Sequence, residues 1–178
     1  MKIIKGDLIE LALQGHFDVI THGCNCQNVM GAGIAVPMKQ YFKCDTFPME
    51  ASQFKGDINK LGTIDYMIHN LVLNKPIKLG NLNLLAPDFG GQDLIVVNSY
   101  TQYHYGKNHM DGVAKPVDYE AITLCMRKIN HEFKGKSIGL PKIGCGLAGG
   151  DWDIVKRIFE RELKNMEVTV VELNTNKF

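Results

Sequence analysis

The residues whose types and spacing suit chemistry fall in two glycine-rich runs. Leu140-Pro-Lys-Ile-Gly-Cys-Gly-Leu-Ala-Gly-Gly-Asp-Trp152 follows a short apolar strand candidate, Ser137–Leu140. It leads into 152–164, where Trp152, Val155, Ile158, Phe159 and Leu163 recur at helical spacing. A strand, a glycine-rich turn and a helix start form a phosphate-binding arrangement. Glycine lets the backbone approach an anion, and the first-turn N–H groups face it with the positive end of the helix dipole behind them. The same run also suits a tight turn with no ligand. The second run, Gly23-Cys-Asn-Cys-Gln-Asn-Val-Met-Gly-Ala-Gly33, follows a buried-strand pattern, Phe17-Asp-Val-Ile-Thr-His22, and enters a helical stripe over 34–42 (Ile34, Met38, Tyr41). Pro37 is tolerable there in a first turn.

Gly144, Gly146 and Gly149 also match G-x-G-x-x-G. That fingerprint normally opens a strand–helix–strand unit with further parallel strands behind it and an acidic residue ~20 positions on. Only one more strand, 167–173, fits before Phe178, and the acidic partner is limited to Glu167 or Glu172. A dinucleotide-binding dehydrogenase is therefore disfavoured.

The elements that must position these runs alternate along the chain. A strand at Met1–Lys5 precedes a helix at 8–14 with Asp7 as its N-cap. After the second glycine run, 43–62 is polar and broken by Pro48 and Gly56, with a short helix around 49–54. Strands are expected at 61–68 and 82–85, separated by turn material. Asp93–Tyr100 is an apolar strand ending in a polar and aromatic cluster, Asn98 to Tyr105, and 118–133 is a helix with Ile122, Cys125, Met126 and Ile129 on one face. Alternating strands and helices argue for a layered α/β domain with ligands beyond the carboxyl ends of the strands. The loops after 19–22, 93–100 and 137–140 then converge on one crevice, and two glycine loops there suit a ligand with more than one phosphate.

Composition narrows the class. The 178 residues fit one domain, and 20 Lys plus Arg against 19 Asp plus Glu give no general pull toward nucleic acid or membrane. Five cysteines, Cys24, Cys26, Cys44, Cys125 and Cys145, follow no disulfide or zinc spacing and read as small buried residues in a reducing compartment. The amino terminus has no signal-peptide pattern and no apolar run reaches ~18 residues. A cytoplasmic protein with no metal and no cofactor is expected.

Several motifs, in order, carry a resemblance over nearly the full length: Gly6-Asp7-Leu8, His22-Gly-Cys-Asn25, Gly31-Ala-Gly-Ile-Ala35, 98–102 and 141–147. In that order and spacing the chain resembles the macro domain family, which binds ADP-ribose. It is most similar to the ADP-ribose-1″-phosphate phosphatase branch, including viral and phage-type members, and to the related ADP-ribosyl-glutamate hydrolases. The resemblance implies a single three-layer α/β/α domain over 1–178 with a central mixed, largely parallel twisted sheet. It implies that Asp7 accepts a hydrogen bond from the adenine amino group, with Leu8 backbone nearby. Gly31, Ala32, Gly33 and Ile34 would cradle one side of the diphosphate and the distal ribose, and Gly144, Cys145, Gly146 and Leu147 the other side. Asn25 would contact the distal ribose. Asp7 also suits a plain helix cap, and Asn25 a turn former.

For the phosphatase that the resemblance implies, hydrolysis needs an activated water, stabilised phosphoryl charge and a protonated leaving oxygen. His22 is the candidate acid or base, Asn25 a positioning group and Asp151 a candidate base. His22 also suits a strand-end hydrogen bond, and Asp151 a cap for the helix at Trp152. His104 and His109 are further candidates, and Tyr103, His104 and Tyr105 could stack on adenine or ribose. Two departures bear on the hydrolase branch. Its aspartate after Gly-Cys-Gly-Leu is Ala148 here, and its mid-chain lysine has no counterpart in Leu84-Leu-Ala-Pro-Asp-Phe-Gly90. The expected function is removal of the 1″-phosphate from ADP-ribose-1″-phosphate. The alternatives are an ADP-ribosyl hydrolase acting on modified protein or nucleic acid, and a non-catalytic ADP-ribose reader. The expected partner is the small molecule, with ADP-ribosylated macromolecules possible and no membrane.

Overall fold

The computed structural model describes residues 1–47, 49–77, 93–106 and 115–173. Among these residues, seven strands form one sheet in the order β1-β7-β6-β2-β5-β3-β4. These are β1 (Lys2–Lys5), β2 (Val19–Asn25), β3 (Ile64–Asn70), β4 (Lys75–Ile77), β5 (Asp93–Gln102), β6 (Ser137–Leu140) and β7 (Glu167–Glu172). Neighbours from β1 to β5 pair in parallel, whereas β3 is antiparallel to β5 and to β4. The sheet is therefore mixed and largely parallel, as expected.

Side-chain alternation along the central strands builds a core on each face. Val19, Val97, Ile138, Leu140, Val168 and Val170 pack under α3 (Tyr119–Glu132) and α4 (Trp152–Glu162). Their strand neighbours Ile20, Val96 and Val171 point the other way, toward α1 (Leu8–Leu13) and α2 (Ala35–Phe42). The result is three layers, α/β/α. Among the described residues, three of the four α-helices start at an aspartate cap. Asp7 Oδ1 accepts from Ile9 N at 2.8 Å, Asp118 Oδ1 from Ala121 N at 2.8 Å, and Asp151 Oδ1 from Asp153 N at 2.8 Å. α2 has no side-chain cap.

The differences from the sequence reading have local causes. β2 does not stop at His22 but continues to Asn25, because β5 stays paired with it as far as Gln102 through an irregularity at Cys24/Asn25. β3 starts at Ile64 rather than Leu61: a one-turn 3₁₀ helix, Ile58–Lys60, and Gly62 at φ +73 turn the chain first. The helix expected around 49–54 is a 3₁₀ turn, Glu50–Gln53. β4 falls in what read as turn material, and the strand expected at 82–85 lies outside the described residues. Among the described residues, no helix is long and apolar enough to cross a membrane.

Gly139 on β6 tests how closely α1 is seated on the sheet. A Cβ there would stand 2.5 Å from Phe17 Cδ2 and 2.9 Å from Leu8 Cδ1. Gly139→Ala is expected to lower stability by about 1–3 kcal/mol through overpacking. Urea unfolding should show this as a lower midpoint with an unchanged slope.

Candidate anion-binding cleft

A cleft of about 520 Å³ opens at the carboxyl ends of β2, β5 and β6, a size suited to a small ligand. Its walls are 23–25 of β2, the glycine loop from Val29 to Ala35 (first in chain order), Gln102 at the end of β5 with Tyr105 beyond it, and the glycine loop from Pro141 to Ala148 except Cys145 (second in chain order).

The first loop is held by its own side chains. Asn25 Nδ2 donates to Val29 O at 2.7 Å, and Asn25 Oδ1 accepts from Gln27 N and Val29 N, both at 3.1 Å. Asn28 takes a left-handed conformation, φ +58, and its amide donates to Ser52 O and Gln53 O. Asn28 Oδ1 accepts from the Lys60 ammonium at 2.5 Å. Lys60 is only 3% exposed and its Nζ lies 5.1 Å from the Tyr100 ring centre. Burial pushes the pKa of this ammonium down.

The second loop is a closed backbone turn. Gly150 N donates to Gly144 O at 2.8 Å and Gly149 N to Gly146 O at 2.9 Å. Gly144 and Gly149 sit at φ +76 and +71. A Cβ on Gly150 would come within 2.7 Å of Gly144 O, so this turn closes only with glycine. Leu147 at its tip is 80% exposed and reaches toward the first loop, with Cδ1 3.9 Å from where a Gly33 Cβ would stand.

Of the expected binding residues, Gly31, Ala32, Gly33, Ile34, Gly144, Gly146 and Leu147 line the cleft, and Asn25 joins them. Cys145 does not; its thiol turns back to Ile143 O. Asp7 and Leu8 are also outside the lining, Asp7 as the cap of α1 and Leu8 in the core. Asp151 caps α4, its N–H donates to Tyr119 Oη at 2.8 Å, and it does not line the cleft. Tyr105 lines the mouth, whereas Tyr103 donates to Gly56 O and stacks edge-on with His104, which is not in the lining. His109 lies outside the described residues.

His22, the candidate acid or base, does not line the cleft. It is fully buried behind the cleft floor, with Nε2 3.0 Å from Asn98 Oδ1. Asn98 Nδ2 donates to Asp65 Oδ1 at 2.7 Å and to Cys44 O at 2.9 Å, so its oxygen faces His22 and the imidazole Nε2 is the donor. Tyr100 Oη donates to Asp65 Oδ2 at 2.8 Å. Burial lowers the His22 pKa to about 4 and raises that of Asp65. The group is a neutral link in a buried network, not an acid or base facing the cleft. Burial also pushes the Cys24 thiol up and Cys44 to about 12, so both stay protonated.

Sequence reasoning passed over Lys142, which lines the cleft inside the run it had singled out, and Lys60, whose short polar surroundings read as loop. Among the described residues, no group of three or more His, Cys, Asp or Glu is placed to hold a metal ion.

No family model matches the chain. It is 29% identical over 181 aligned positions to an uncharacterised 17.5 kDa protein of the tk-vs intergenic region of Enterobacteria phage T4, covering 97% of this chain and 96% of that one. A solved protein from Bacteroides thetaiotaomicron is 26% identical with a TM-score of 0.66, covering 96% and 98% of the two chains. The macrodomain of Mycobacterium tuberculosis DarG matches with a TM-score of 0.61 at 19% identity over 96% and 95%. Thermosipho africanus DarTG, solved in complex with ADP-ribose, matches with a TM-score of 0.64 at 21% identity over 99% of this chain and 42% of that one. The chain has the macrodomain fold.

The buried imidazole has a pH signature. Its folded pKa of about 4 lies below the ordinary 6.5, so the unfolded chain binds the extra proton between those values. Stability is then expected to fall as pH drops from 6.5 toward 4, by about 3 kcal/mol from this group. Asp65, with its pKa raised, works in the opposite sense. Unfolding of wild type and His22→Asn across that range should isolate the histidine: the variant starts less stable and loses less on acidification. Parallel curves would assign the acid limb elsewhere.

Proposed function

We propose that the cleft binds the ADP-ribosyl group, with the diphosphate between the two glycine loops. The observation that carries this is the pairing of two backbone-walled loops across one crevice whose described lining holds no carboxylate. A diphosphate there meets N–H groups and one lysine, with no carboxylate in the described lining. The fold match to DarTG in complex with ADP-ribose supports the same ligand. Gly31–Ile34 would take one side of the diphosphate, Gly144, Gly146 and Leu147 the other, and Asn25 the distal ribose. Asp7 would meet the adenine amino group while Oδ1 still caps α1.

The reaction we infer is removal of the 1″-phosphate from ADP-ribose-1″-phosphate. The carboxylate-free lining favours it, because an added phosphate is not repelled, and Ala148 removes the aspartate that the glutamate-ester hydrolases use. With His22 behind the floor and Asp151 on its helix, neither takes the proton from water. Among the candidates in the described residues none is placed to do so, and we infer that the phosphate itself is the acceptor, its second pKa being about 6. Water adds to phosphorus, its proton passes to a phosphoryl oxygen and on to the leaving oxygen at C1″, and the P–O bond breaks.

ADP-ribose and ADP-ribose-1″-phosphate should be titrated in parallel with a phosphate-release assay. Binding of both with release from the second is expected. Gly33→Glu should weaken binding roughly a hundredfold, the effect of about 3 kcal/mol of repulsion a few ångströms from a diphosphate. Absence of ADP-ribose binding would reject the site. Binding without release would reject the phosphatase and leave a reader or an enzyme acting on ADP-ribosylated macromolecules.

A further inference from the structure

Lys142 is the one charged side chain among the described residues that line the cleft. Its backbone is fixed in a tight turn: Ile143 N donates to Pro141 O at 2.8 Å, and Cys145 N to Lys142 O at 3.1 Å. The ammonium has two partners, neither of them in the cleft lining. Glu172 Oε1 lies 2.8 Å away, and the Trp152 ring centre 4.9 Å away. The sheet sets this meeting. Leu140 on β6 pairs in parallel with Val170 on β7, so the residues two positions further on, 142 and 172, stand side by side. Trp152 is itself anchored, packing edge-on against the buried Phe159 at 6.0 Å.

The ion pair is half in water, with side-chain exposures of 36% and 32%. Such pairs are weak and exchange partners at little cost. An ammonium has three donors, and a phosphate oxygen beside it competes directly with the carboxylate. The ring, being uncharged, does not compete and keeps its hold on the cation while the anionic partner changes.

We propose that Lys142 is the charge-selecting residue of the cleft, shared between Glu172 and a phosphate of the bound nucleotide, with Trp152 as its fixed seat. This rests on reading the cleft as an ADP-ribose site. Glu172 thereby sets the affinity from outside the ligand's reach: it competes for the ammonium, so ligands with weaker anionic groups do not displace it.

The test is a double-mutant cycle by calorimetric titration with ADP-ribose and, separately, ADP, on wild type, Lys142→Met, Glu172→Gln and the double variant. Thermal melting should confirm that each is folded. Lys142→Met should weaken binding about tenfold and flatten its salt dependence. Glu172→Gln should tighten binding about threefold, and only while Lys142 is present, so the double variant should match Lys142→Met. Lys142→Arg should retain most of the affinity. ADP-ribose binding that is unchanged in Lys142→Met, or a Glu172→Gln effect that persists without Lys142, overturns the proposal and leaves the ADP-ribose site standing. The same cycle seen with ADP, but no binding of ADP-ribose, rejects the ADP-ribose site and keeps the lysine's role. Binding of neither ligand overturns both.

Discussion

β2 pairs with β6 only through Val19 and Ile20, whereas on its other side it stays with β5 as far as Asn25. The crevice follows from that inequality, because β6 ends at Leu140 and its loop swings away while β2 runs on. Parallel pairing brings both strands to their carboxyl ends on the same side of the sheet, so both glycine loops leave from one place. Gly23 sits where they separate. A Cβ there would lie 2.8 Å from Thr101 Oγ1 and 3.1 Å from Ile143 Cγ2, which ties the floor to β5 on one side and the second loop on the other.

Behind that floor, the fold spends its polar residues on rigidity. His22, Asn98, Asp65 and Tyr100 form a buried chain of hydrogen bonds linking β2, β5 and β3, and Asn98 extends it to the backbone at Cys44. Low dielectric strengthens such a network and makes a missing partner costly. Lys60 does for the first loop what this chain does for the strands, reaching from the end of a 3₁₀ turn to Asn28. Backbone N–H groups serve an anion well only when they are held in place beforehand, and these buried groups hold them.

The periodic elements were legible because each carries its own local cause. The stripe Ile122, Cys125, Met126 and Ile129 became a buried helix face, and Asp7 and Asp151 became caps. The two glycine loops were legible for the same reason, since Gly33, Gly144 and Gly149 take φ above zero and a Cβ on Gly150 would meet Gly144 O, conditions that favour glycine locally. His22 read as a strand-end residue because nothing local shows that β2 runs on to Asn25 or that its imidazole meets Asn98, 76 positions away. Lys142 was missed because its partner Glu172 is set by strand register, which no local pattern encodes.

The two ends of the sheet bear on behaviour at high concentration. β1 is exposed along its whole length, with Ile3 and Ile4 at 45% and 37%, and among the described strands it has β7 as its sole neighbour. Such an edge is a template for another chain's strand. Lys2 and Lys5 bracket the two isoleucines, so a second copy adding there would bring like charges together. At the opposite edge, β4 carries Pro76, which has no N–H to offer an incoming strand. Three residues remote from the cleft thus guard the two edges of the described sheet, and neutralising the two lysines would leave β1 open to an added strand.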